Sequence, residues 1–237
     1  MRALQRWRNL QRFFAGEKKH ERKRKDMENC CLEELLECYP ELKAIRKEIW
    51  DAYQCMVKCF ETGHKLLIAG NGGSSSDAQH IVGELMKGFE KKRSLSKMQQ
   101  ELLQKVDPVM GKVLAKELQG ALPAIALDSH SSLYTAYAND MDAKVCLAQA
   151  LQGYGYPQDV LLAISTSGNS ENILYAAVTA RAFGMPVIAL TAKEGGKLVG
   201  LSDIAVRVPQ EKTFRAQELH LPIYHCWCRM LEQHFFQ

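Results

Sequence analysis

Five apolar runs of strand length punctuate the chain, at Lys65 to Gly70, Leu122 to Leu127, Val160 to Ser165, Val187 to Thr191 and Ile204 to Val208. Between and after them lie segments whose apolar residues recur with helical period: Leu42 to Phe60, Ser75 to Met86, Ser131 to Leu151, Asn172 to Phe183 and Phe214 to Phe235. A strand that is apolar throughout, rather than alternating, must be covered on both faces, and helical crossovers supply that cover only when the strands are parallel. The pattern therefore predicts a three-layer α/β/α sandwich around a five-stranded parallel sheet.

At 237 residues, with 46% hydrophobic and 24% charged, the chain fits one generous domain and carries no signature of disorder in its body. The expected organisation is a single domain over residues 27–237, with a helical insertion over 90–120, preceded by a basic extension over 1–26. In that extension Arg2, Arg6, Arg8, Arg12, Lys18, Lys19, Arg22, Lys23, Arg24 and Lys25 face only Glu17 and Glu21. Leu4, Trp7, Leu10, Phe13 and Phe14 would give it an apolar side suited to a nucleic-acid or anionic-membrane arm, but a solvated tail is the preferred reading. Nucleic acid is accordingly not an expected partner. No run of about 18 apolar residues exists and no secretory signal opens the chain, so the expected location is the cytoplasm. The eight cysteines form no CxxC pair and no metal-finger spacing, which fits reduced thiols acting as small apolar side chains.

Parallel α/β sheets bind ligands outside the carboxyl ends of their strands, and two of those turns are unusual here. The first, Gly70-Asn71-Gly72-Gly73-Ser74-Ser75-Ser76-Asp77, has three glycines that permit positive φ and close approach of the backbone to a ligand. The second, Ser165-Thr166-Ser167-Gly168-Asn169-Ser170, brings four hydroxyls to the start of a helix. Hydroxyls and helix N-terminal amides together can hold a phosphate without a metal. One such turn would more often be simple capping; two on one sheet point to a site. The spacing fits neither a dinucleotide fingerprint nor a Walker loop, so no nucleotide cofactor is expected. His80 and Glu84 lie four apart on the helix opened by the first turn and share a face. Glu84 sits among Ile81, Val82 and Leu85, and a partly buried carboxylate suits proton abstraction. The last helix offers Gln217, Glu218, His220 and His225, with Pro222 expected to kink it. Gln217 and His225 stand about 12 Å apart along a regular helix, and His220 is a rival for either role.

The run Gly70-Asn71-Gly72-Gly73-Ser74 with Asp77, Ala78, His80 and Glu84, the run from Ile164 to Ser170, the stretch Thr191 to Gly196 before Lys197, and Arg215-Ala216-Gln217-Glu218 through His220 and His225 resemble the bacterial phosphoheptose isomerases of the sugar isomerase (SIS) domain superfamily. The likeness covers roughly Leu42 to Phe236. It implies a homotetramer with sites shared between subunits, and aldose-ketose isomerisation of sedoheptulose 7-phosphate to D-glycero-D-manno-heptose 7-phosphate. By the same resemblance Ser165, Thr166, Ser167 and Ser170 would hold the phosphate, and Asn71, Gly72, Gly73, Ser74, Ser129, His130 and Gln217 would lie near the sugar. Glu84 would be the base and His225 the acid of an enediol mechanism, and zinc would be held by His80, Glu84, Gln217 and His225.

Two departures accompany the likeness. His130 is aligned where the family carries Asp after the second strand, so recognition of the sugar hydroxyls is expected to differ. The chain is also longer between Phe89 and Ala121, where Leu95 to Gln104 and Val109 to Leu118 read as two helices broken at Asp107-Pro108. The alternative readings are a non-catalytic adaptor that binds the replication initiator DnaA, or a sugar-phosphate sensor. The adaptor lacks the acid and imidazole that Glu84 and His225 supply here.

Overall fold

The structure is a computed structural model and describes residues 30–236. The basic extension expected over 1–26 lies outside the described residues. Five parallel strands, β1 (Leu66–Ala69), β2 (Ala124–Ala126), β3 (Val160–Ile164), β4 (Val187–Thr191) and β5 (Ile204–Arg207), form one sheet in the order β2-β1-β3-β4-β5. Alternation along the strands divides the core into two layers. Leu66, Ile68, Leu162, Ile164, Ile188 and Leu190 pack under one set of helices, and Leu67, Ala69, Leu161, Ala163, Val187 and Ala189 under the other.

The first layer holds a helix over residues 30–38 (α1), α2 (Arg46–Glu61), α3 (Gly73–Met86) and α9 (Thr213–Phe235). The second is built from α7 (Cys146–Tyr154) and α8 (Glu171–Ala182). The expected helix from Ser131 to Leu151 is interrupted: α6 (Ser131–Asp140) ends, and Asp142 accepts a hydrogen bond from the Lys144 amide to start a short 3₁₀ turn before α7. An aspartate that can bond its own downstream amide competes with helix continuation, which the apolar period alone does not register. Pro222 does not end α9, which runs through it as one element. All eight cysteines are free, and burial pushes the Cys59 thiol up to about 12. Among the described residues no helix is long and apolar enough to cross a membrane.

The insertion is a helical hairpin of α4 (Lys97–Val106) and α5 (Met110–Glu117). Ser96 and Gln99 form a reciprocal capping box at the start of α4, and Asp107 Oδ1 accepts from the amides of Val109 and Met110 at the start of α5. The two helices meet where Gly111 approaches the Leu103 carbonyl; a Cβ there would stand 2.3 Å from that oxygen. Met98, Leu102, Val106, Met110 and Val113 remain exposed on the hairpin.

A buried ion pair joins the foot of the hairpin to α9. Glu232 accepts from the amides of Phe89 and Glu90 at 2.8 Å, of Lys91 at 3.0 Å, and from Arg93 Nε at 2.8 Å. Arg93 spends its other donors on the carbonyls of Leu85 and Glu84 and lies over the Phe236 ring. Those carbonyls belong to the last turn of α3, which has no helical partners for them, so one guanidinium caps α3 and neutralises Glu232 at once. Hydrogen bonds from the backbone and Arg93 hold the Glu232 carboxyl below its usual range, against the opposing effect of burial. Removing one member of such a pair strands the other in the core. Arg93→Met should therefore lower unfolding free energy by about 3–5 kcal/mol, read from the denaturant midpoint at unchanged slope.

Candidate active site

Two groups of candidate site residues lie at opposite ends of α3. The first lies at the carboxyl ends of β1 and β3. Gly72 has φ +54 and ψ −119, a conformation that side chains avoid, and it turns the chain so that α3 starts at Gly73. The Gln217 amide of α9 lies against Gly73, where an added Cβ would meet its Nε2 at 2.5 Å. In the second turn the Ser165 hydroxyl accepts from the Gly168 amide at 3.2 Å and stands 3.4 Å from the Ser170 hydroxyl. Gly168, at φ +62, presses so closely on the Gly195 carbonyl that a Cβ would stand 1.8 Å from it. Ser170 is the N-cap of α8 but makes no side-chain cap bond, so the helix start keeps amides and a hydroxyl for another acceptor. Ser167 and Asn169 are exposed there, and Thr166 is partly so.

Asn71 and Asn172 tie the two turns together by exchanging amide hydrogen bonds of 2.9 and 2.7 Å. Asn172 escaped notice in the sequence because an asparagine in the first turn of a helix reads as ordinary capping chemistry. Ser74 is buried beneath the first turn, and Ser75 donates to Asp128, which also accepts from Gln79 at 3.2 Å. Asp128 lies two residues past the end of β2 and so brings a carboxylate to the first turn. His130 instead bonds Tyr154 at 2.8 Å and stacks on its ring, and Ser129 is an exposed turn residue beside it.

The second group lies toward the carboxyl end of α3, where that helix runs parallel to α9. His80 Nε2 is 3.4 Å from Glu84 Oε1, and Lys87 approaches the other Glu84 oxygen at 3.3 Å. The Glu84 side chain is 12% exposed, in keeping with its apolar flanks. The His80 and His225 rings meet edge to face at 5.0 Å between centroids, and Phe89 and Tyr224 also contact His225. His225 Nε2 is buried without a hydrogen-bond partner among the described residues. Burial and the neighbouring His80 lower the His225 pKa, and Glu84 only partly opposes them, so its ring is neutral at neutral pH. Asp77 and Tyr224 complete the group: the Tyr224 hydroxyl donates to Asp77 Oδ1 at 3.2 Å and lies 3.1 Å from His80 Nδ1. Burial raises the Asp77 carboxyl, with Tyr224 and His80 opposing. A cavity of about 270 Å³ opens beside His225, lined by Tyr39, Phe89, Glu90, Pro222 and Arg229.

Within one chain the structure thus brings together His80, Glu84 and His225 but leaves Gln217 at the opposite end. The seven residues from Gly73 to His80 put Gln217 roughly 10 Å along the helix axis from that group. The start of α3, which Asn71 and Asn172 tie to the serine turn, lies about 16 Å along the axis from Glu84. Among the described residues no three His, Cys, Asp or Glu side chains are already gathered in metal-holding geometry. The donors nevertheless fit a zinc ion in kind: an imidazole nitrogen with no partner, a second imidazole fixed at its far nitrogen, and a carboxylate beside that second ring.

A parallel sheet in the order β2-β1-β3-β4-β5 with a serine turn at the start of α8 defines the class as a SIS domain, and the SIS domain family model matches residues 110–192. The phosphoheptose isomerase of Alkalilimnicola ehrlichii is 37% identical over 82% of this chain and 88% of its own length. That of Shewanella denitrificans is 38% identical over 82% and 87%. Among solved structures, the phosphoheptose isomerase of Francisella tularensis superposes with a TM-score of 0.68 at 33% identity, covering 88% of this chain and 97% of that one. The Neisseria gonorrhoeae phosphoheptose isomerase gives 0.62 at 28%, covering 89% and 96%. The chain belongs to the phosphoheptose isomerase family.

His220 takes no part in either group. It is fully buried on α9, neither ring nitrogen has a hydrogen-bond partner among the described residues, and burial pushes its pKa down to about 4 despite the nearby Thr191 backbone. Above about pH 6.5 the ring is neutral folded and unfolded, and protonation costs nothing. As pH falls below that, the unfolded chain binds a proton that the folded one refuses, and stability drops until about pH 4. Between pH 7.5 and 5 the loss from this residue should be about 2 kcal/mol. His220→Leu should remove that part of the pH dependence, as seen by comparing denaturation midpoints of the two proteins across this range.

Proposed function

We propose that the chain catalyses aldose-ketose isomerisation of a sugar phosphate, sedoheptulose 7-phosphate in the first place, with Glu84 as base and His225 as acid. The observation that carries this reading is the meeting of Glu84, His225 and His80 at one end of α3 in a chain of this family. The carboxylate takes the proton from the carbon beside the carbonyl, and the carbonyl oxygen takes one from the His225 ring, giving an enediol. Return of the first proton to the other carbon, with loss of the second hydroxyl's proton to the ring, completes the exchange. A neutral His225 can pass a proton in either direction, which a fixed imidazolium could not. Zinc held by His80, Glu84 and His225 would supply polarisation of the substrate oxygens.

The phosphate belongs at the serine turn, where Ser165, Thr166, Ser167 and Ser170 stand at the start of α8 with the amides of that helix. Since that turn is tied to the start of α3, about 16 Å along the axis from Glu84, a single chain would leave the base far from the bound phosphate. The complete site is composite: the acid-base group of one subunit faces the serine turn of another, which makes assembly a condition of activity. A homotetramer satisfies that condition.

Glu84→Gln should lower kcat by about 10²–10⁴-fold in a heptose phosphate assay while leaving KM nearly unchanged, because shape is retained and the base is lost. Unchanged kcat would remove Glu84 from the mechanism. Ser167→Ala should act mainly on KM. Co-refolding Glu84→Gln with a Ser165→Ala/Ser167→Ala double variant should restore part of the activity, since some mixed pairs combine two intact halves. Strict additivity of the two inactive preparations would show that the site lies within one chain.

A further inference from the structure

His80 is the one member of the acid-base group whose far nitrogen is already committed. Its Nδ1 lies 3.1 Å from the Tyr224 hydroxyl, and that hydroxyl donates to Asp77 Oδ1 at 3.2 Å. Tyr224 is 1% exposed, so water does not compete for its oxygen. With the phenol proton given to Asp77 Oδ1, the phenol oxygen can only accept on its other side. The proton on that side must then come from His80 Nδ1–H. The imidazole is left with a bare Nε2, 3.4 Å from Glu84 Oε1, which is also an acceptor. Two acceptors face each other, and a third, or a donor with nothing to bind, waits at the orphaned Nε2 of His225. Such a pair is stable only with a positive charge or a shared proton between its members.

We propose that Tyr224 is a positioning residue that, through Asp77, locks His80 in its Nδ1–H form and so turns the His80–Glu84 pair into a receptor for a cation. The proposal rests on the reading of His80 and Glu84 as part of the active site, but its central claim concerns a proton position that can be observed without turnover. Without the lock, His80 would carry its proton on Nε2 and donate it to Glu84, satisfying both groups internally and closing the site to a metal. The i, i+4 spacing that brings His80 to Glu84 would then be an ordinary surface pair. A phenol sited between a carboxylate and the far side of the ring prevents that outcome.

The test uses the full-length, metal-free protein with histidine-selective ¹⁵N labelling, His80 being assigned by its loss in His80→Gln. At a pH where the ring is neutral, the two nitrogen shifts of His80 should report a proton on Nδ1. In Tyr224→Phe the proton should move to Nε2, and zinc affinity, measured by competition with a chromophoric chelator, should fall by about 10–100-fold. A wild-type ring protonated on Nε2 would overturn the proposal, as would a tautomer that does not change in a folded Tyr224→Phe protein. The wild-type spectrum alone decides the question if that variant does not fold. Absence of turnover in the wild type, with His80 in the Nδ1–H form, would sink the assigned activity and leave the lock standing.

Discussion

The parallel packing of α3 on α9 is the contact on which the rest depends. Gly73 lies against Gln217, and seven residues further along both helices His80 meets Tyr224, with Asp77 and His225 beside them. Past the end of α3 the chain returns to α9 through Arg93 and Glu232. The last of these fixes the register. A carboxylate taking four donors, three of them from consecutive backbone amides of one loop and its neighbours, cannot slip by a turn without abandoning them all inside the core. The apolar contacts of Ile81, Leu85, Ile223 and Tyr224 would tolerate a small slide far better. Packing thus supplies most of the burial, and the ion pair supplies the alignment that sets His80 and Glu84 opposite His225.

That division of labour explains what could be read from the chain before any coordinates. The five strands were legible because fully buried parallel strands are continuously apolar, and observed bounds lie within two residues of the expected ones. The serine turn was legible because hydroxyls cluster in sequence as they do in space, and Glu84 with His80 because helical spacing places them together. Arg93, Tyr224 and the role of Asp77 were not. Each acts through a partner more than a hundred residues away, and a lone Arg in a basic loop or a Tyr in an apolar helix looks like solvated charge or plain core. Asp128 was missed for a different reason: a single acidic residue in the turn after a strand reads as ordinary turn chemistry. Its meaning became visible only through Ser75 and Gln79. The broken helix at Asp142 failed for a third reason, since a local side-chain cap outweighs an uninterrupted apolar period.

Dividing the site between the two ends of α3 has an electrostatic logic. The start of a helix carries a partial positive charge and free amides, and in the proposed site the start of α8 would offer these to the phosphate. A carboxylate base placed within a few ångströms of a dianionic phosphate would be driven toward its protonated, inactive form. Residue Glu84, near the far end of α3 and paired with His80 and Lys87, is kept away from any phosphate bound in its own chain. In a composite site the distance between phosphate and base is then set by how subunits dock, and it can match the length of the sugar chain between the reacting carbons and the phosphate. An intrachain site at the serine turn would have to place base and anion side by side on neighbouring loops, with no helix length available to separate them. Arg93, at the foot of the hairpin of α4 and α5, also caps the same turn of α3 that carries Glu84, so the backbone under that carboxylate is held by the pair with Glu232.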